Sequence, residues 1–176
     1  MRHWINLFED YASNLSRWFK GSVITNEDGD PMVVHHFTHS EVIDVFDRLW
    51  AANYFKRDPE SIDTVGLWFT NKEVPYGPNR MDCYLRMTKP YWLDDQQDGT
   101  QKDAWMILFE RITEAGGSTA FRTKLKASGY DGIIMQETLL DGREQTVMIV
   151  LEPGQIKSVE NGGRFDSEND DIRESE

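Results

Sequence analysis

Residues 33–40 read VVHHFTHS and hold three of the chain's four histidines. Two β-branched residues followed by His35, His36, Phe37 and Thr38 favour an extended strand. Neighbouring side chains on a strand point to opposite faces, so His35 and His36 cannot meet one metal ion unless the chain turns between them. His39 lies beyond the strand end, and no Cys, Asp or Glu stands at a recognised ligand spacing from it. Three readings stay open on this stretch alone: metal ligands, a grip on a substrate, or strand-end histidines with satisfied hydrogen bonds.

Upstream, Val23-Ile24-Thr25, a turn over 26–30 containing Gly29, and Met32 to His36 predict a β-hairpin. Residues 2–20 place Trp4, Phe8, Tyr11, Leu15 and Trp18 on one face of an amphipathic helix ended by Gly21. Its polar face is mixed in sign, which favours packing on the domain over lying on a membrane. Downstream, Ser40 is placed to cap a short helix carrying Val42, Val45, Phe46 and Leu49, followed by a polar connection to about Asp63. Residues 64–70 and 82–87 read as strands, with a turn-rich loop over 75–79 between them. Helical patterns cover 101–115 and 118–127. Residues 132–135 and 146–151 form a second hairpin around the turn Leu140-Asp141-Gly142-Arg143. The fold class is α+β, with antiparallel strands dominating. Three regions follow: the helix over 1–20, a domain over 21–159, and an acidic tail over 160–176 whose Gly, Asn, Asp and Glu content predicts loose order.

With 176 residues and 39% hydrophobic content, the chain can bury one sizeable core. A net charge of −12 opposes a phosphate backbone, and no basic run offers an exception, so nonspecific nucleic-acid binding is not expected. The single cysteine, Cys83, has no internal disulfide partner and reads as a buried filler. Neither a secretory signal nor an apolar run of about 18 residues stands out, which predicts a soluble, cytoplasmic protein without membrane contact.

Taken in order, GDPMVVHHFT, GLWFTNKEVPY, YLRMTKPYWLDD, GYDGIIM and MIVLEPGQIKSVENGGRFDSENDDI resemble the ADP-ribosyltransferase domains of phage polyvalent proteins. The resemblance spans roughly residues 19–172, and its final run is the most specific. Those domains are related in fold to the poly(ADP-ribose) polymerases and diphtheria toxin. The resemblance implies an ADP-ribosyltransferase-like fold with two small antiparallel sheets forming an NAD cleft. It also implies NAD as substrate, a protein acceptor, and the host cytoplasm as location if the chain is phage-encoded.

The family's first strand ends in Tyr-His-Gly-Thr, which falls here on His35, His36, Phe37 and Thr38. His36 is thereby the implied ribose ligand. Phe37 departs from the glycine whose backbone holds the nicotinamide amide, because a Cβ and a ring enter space that glycine leaves open. Trp68 matches an aromatic that stacks on nicotinamide, and Tyr76 falls where a second aromatic often lies. The glutamate that steadies the oxocarbenium ion in active relatives is replaced by Val147. The nearest polar residues on that strand are Gln145 and Glu144, the candidates for its role. The alternative is a weakened or inactive module of the same fold that binds NAD, ADP-ribose or a host protein.

Overall fold

The computed structural model describes residues 2–73, 77–93, 103–139 and 141–173. The elements in chain order are α1 (Arg2–Phe19), β1 (Val34–Thr38), α2 (Trp50–Phe55), β2 (Leu67–Thr70), β3 (Asn79–Leu85), β4 (Pro90–Leu93), α3 (Ala104–Ala115), α4 (Ser118–Ala127), β5 (Gly132–Thr138), β6 (Glu144–Val150) and β7 (Ile156–Ser158).

The strands form one seven-stranded sheet in the order β4-β5-β6-β2-β1-β3-β7, not two sheets. All neighbours are antiparallel except β4 and β5, which run parallel through the crossover made by α3 and α4. The two-sheet expectation is corrected by a single join: β1 and β2 pair at His35 with Thr70 alone. By contrast β1 holds β3 through five pairs and β6 holds β5 through seven. One continuous sheet therefore carries a narrow seam at its middle.

Alternation along the strands divides the core between the two faces. On one face Ile133 and Met135 of β5 and Val147 and Ile149 of β6 pack with Leu108, Ile112, Phe121 and Leu125 of α3 and α4. On the other, Val34, Phe69, Cys83, Leu85 and Met148 pack with Trp18 and Phe19 from the end of α1, and with Phe46 and Ile172.

Three further expectations change. Residues 40–47 form no helix. Thr38 Oγ1 accepts the Ser40 N–H, the Asp44 carbonyl accepts the Ile172 N–H at 2.8 Å, and Val45 makes a β-bridge to Asp171. Backbone groups that a helix would pair internally are taken by the distant tail, so Phe46 is buried while Val42 and Val45 stand 55% and 54% exposed.

The tail, for its part, is folded back on the domain over residues 160–173. Lys157, 0% exposed, donates from Nζ to the carbonyls of Asn169 and Asp171, and Ile172 is buried. Phe165 and Tyr11 form an edge-to-face pair at 5.3 Å, and Asn14 donates to the Gly163 carbonyl, so α1 rests on this tail. Finally, the first hairpin is reduced to a bridge between Thr25 and Pro31, and only its second arm enters the sheet. β4 and β7 complete the sheet at its two edges.

Candidate active site

The seam between β1 and β2 builds the site. Where the strands part after His35 and Thr70, the His36 ring crosses the gap, with Nδ1 2.8 Å from the Trp68 carbonyl. A carbonyl only accepts, so Nδ1 carries the hydrogen and Nε2 is the acceptor nitrogen. Burial holds the His36 pKa below its usual value, partly countered by this hydrogen bond, so the ring is neutral near pH 7. Phe46 meets it edge-on at 4.8 Å and Phe69 lies at 5.4 Å.

Trp68 projects to the opposite face of the sheet. Its ring stacks on Trp105 of α3 at 5.0 Å and 6°, and Nε1 donates to the Asp63 carbonyl. His36 and Trp68 thus belong to different packing layers and approach one another only where the seam opens.

Two hollows flank that opening, and both His36 and Trp68 line each of them. The first, about 230 Å³, has a wall of Phe37, Trp68, Phe69 and Trp105, with Val147 below. Its polar lining comes from His35, His36, Thr70 and Glu137. The second, about 430 Å³, lies under residues 40–51 and includes Thr38, Ser40, Asp44, Arg48 and Trp50. Thr38 is buried beside Gly77, where a Cβ would stand 3.0–3.2 Å from Thr38 backbone atoms, so glycine lets the backbone at 77 approach β1 closely.

Behind the first hollow, Gln145 is 1% exposed and held at both ends. Thr70 Oγ1 donates to Gln145 Oε1 at 2.9 Å, and Gln145 Nε2 donates to Glu137 Oε2. Glu144 is exposed at the strand end, bonded to Thr138 Oγ1, and is not among the residues lining either hollow. Tyr76 lies outside the described residues. His35 Nδ1 is 2.8 Å from Asp82 Oδ1, and Asp82 pairs in turn with Arg80 and Arg80 with Glu73. Among the described residues no group of three His, Cys, Asp or Glu side chains is placed to hold a metal ion.

Sequence reasoning brought His36, Phe37 and Trp68 to the hollow but passed over Glu137, Trp105 and the His35–Asp82 pair. Glu137 had only a partial signal. Counting outward from the turn at 140–143 sets it opposite Thr146, but the Leu139 N–H bonds the Arg143 carbonyl, which shifts the register by one and sets Glu137 opposite Gln145. Trp105 had none, because its approach to Trp68 depends on how α3 crosses the sheet.

A model of the family described as ADP-ribosyltransferase in polyvalent proteins matches residues 26–165, most of the chain. The chain belongs to that family. Comparison with curated proteins and with solved structures gives no match. Among the described residues no helix is long and apolar enough to cross a membrane.

Proposed function

We propose that the protein cleaves the nicotinamide–ribose bond of NAD and transfers ADP-ribose to a protein acceptor. The observation that carries this reading is the pair of hollows meeting at His36 and Trp68. A dinucleotide is an extended ligand with two ring-bearing halves, and the smaller hollow is sized for one ring rather than a whole ligand. Its aromatic wall suits a positively charged pyridinium, which gains from the faces of Trp and Phe rings. His36 offers a neutral Nε2 to a ribose hydroxyl. Phe37 narrows the entrance, and Thr38 fixes the start of the segment that roofs the larger hollow.

Val147 favours a second reading, a module that binds NAD without turning it over, because valine supplies neither charge nor hydrogen bond to the reacting sugar. One experiment separates the two. Thermal unfolding is followed with and without millimolar NAD, and nicotinamide release is measured in the presence of mixed acceptor proteins. Ligand at about five times Kd raises stability by about 1 kcal/mol. Transfer predicts both a shift and released nicotinamide, binding alone predicts only the shift, and absence of both rejects the NAD cleft. His36→Ala should remove the shift while His39→Ala retains it.

A further inference from the structure

We infer that Glu137, from the neighbouring strand β5, supplies the catalytic carboxylate that Val147 cannot. The inference rests on the NAD-cleaving reading of the same hollow.

Register places it there. Met135 stands opposite Val147 and Glu137 opposite Gln145, so all four side chains share one face of the β5–β6 ladder. Glu137 is the diagonal neighbour of Val147, and diagonal neighbours lie roughly 7–8 Å apart, within reach of a long side chain. A glutamate at 137 can therefore bring its carboxylate over the space in front of Val147. It is also the one carboxylate lining that hollow among the described residues.

The hydrogen bonds behind it have a direction. The Lys72 N–H donates to Thr70 Oγ1, so the hydroxyl hydrogen is left for Gln145 Oε1. With Oε1 so engaged, the Gln145 amide turns its N–H₂ group to Glu137 Oε2. Burying an amide in an apolar setting is costly unless its groups are paired. Here the chain from the Lys72 N–H through the buried Thr70 and Gln145 ends on the Glu137 carboxylate and holds it at the rim of the aromatic hollow. Gln145 is in this arrangement a positioning residue, and Glu137 the group that touches the sugar.

In the reaction the bond between C1′ of the ribose and N1 of nicotinamide breaks, and its electron pair leaves with neutral nicotinamide. Positive charge develops on C1′ and the ring oxygen, where an anionic oxygen close by is most effective. A lone pair of the acceptor then forms the new bond to C1′, and the acceptor's proton passes to solvent. Glu137 is neither consumed nor alkylated.

The test compares nicotinamide release by wild type, Glu137→Gln and Glu137→Asp, with the NAD-induced thermal shift measured on each. Glu137→Gln keeps shape and a hydrogen-bonding head but loses the charge. It should lower kcat on the order of a hundredfold or more, the usual cost of losing one such contact, with the NAD shift retained. Glu137→Asp keeps the charge on a shorter arm and should fall between the two, which preserves the test if the Gln variant folds poorly. Wild-type turnover with an unimpaired Glu137→Gln overturns the inference and leaves the NAD-cleaving reading standing. A wild-type protein that binds NAD without releasing nicotinamide also overturns it, in favour of the binding module. Absence of both binding and release rejects the underlying reading itself.

Discussion

Replacing Lys157 by methionine should unlock the C-terminal tail and, through it, loosen the roof of the larger hollow. The ammonium is buried and donates to the Asn169 carbonyl at 2.8 Å and the Asp171 carbonyl at 3.1 Å. Hydrogen bonds to a charged group contribute about 1.5–3 kcal/mol each. Methionine keeps most of the apolar stem and relieves the cost of burying a charge, which offsets part of the loss. The expected net destabilisation is about 2–4 kcal/mol. With a urea slope of about 2 kcal/mol/M for a chain of this size, the unfolding midpoint should fall by about 1–2 M.

The same contacts carry a functional consequence. Asp171 bridges Val45, and the Ile172 N–H bonds the Asp44 carbonyl. Those residues hold Phe46 against His36. Amide exchange at Ile172 should therefore quicken before global unfolding, and NAD should stabilise the variant less than wild type. A midpoint unchanged or raised, with exchange at Ile172 unaltered, would refute the tail as a clamp on the cleft.

Two other perturbations test how β2 is held by its neighbours. Because burial holds His36 below its ordinary pKa of 6.5, the unfolded chain takes up a proton that the folded one refuses. Stability is complete above about pH 6.5 and falls as the pH drops from there toward the lowered folded value, by up to about 1.4 kcal/mol per pH unit. His36→Phe should lose this part of the acid slope, seen as unfolding midpoints of the two proteins converging as the pH is lowered; parallel profiles would contradict it. At Gly66 an added Cβ would stand 2.5 Å from the Val150 carbonyl oxygen and 2.6 Å from Ile149 Cγ2. Gly66→Ala should force β2 away from β6 and cost at least about 1–3 kcal/mol in chemical denaturation, and a variant as stable as wild type would show that the strands tolerate the gap.

Much of this architecture was legible where local pattern and local contacts agree. The helices at 104–115 and 118–127 carry their apolar stripes onto the sheet, and the β5–β6 hairpin is announced by Asp141-Gly142 between two β-rich runs. The errors arose where distant chain decides. Val42, Val45, Phe46 and Leu49 have helical spacing, yet Asp44 and Val45 are claimed by residues more than a hundred positions away. The tail's polar composition argued for loose order, but a few anchors suffice against it: Ile172, Phe165 and the ammonium of Lys157. Composition counts residues, whereas order depends on whether each backbone group finds a partner.

The seam explains how one sheet stands where the family resemblance implied two. Strand runs in sequence reveal which segments are extended and which faces are apolar, but not how many ladder bonds join two neighbours. Between β1 and β2 a side chain replaces a rung: the His36 imidazole donates to the Trp68 carbonyl where a backbone N–H would ordinarily serve. That exchange lets the strands diverge without leaving the carbonyl unpaired, and the divergence exposes the ring faces and the Glu137 carboxylate to a shared hollow. A histidine in this place therefore has two coupled tasks. Its Nδ1–H bridges the strands beyond their one backbone pair, and the same tautomer leaves Nε2 as an acceptor, which on the proposed reading serves the ligand. Substitutions that preserve only one ring nitrogen's role should separate them. His36→Asn, able to offer an N–H to the carbonyl on a shorter arm, should keep more of the fold's stability than His36→Ala while losing as much of the NAD-induced shift.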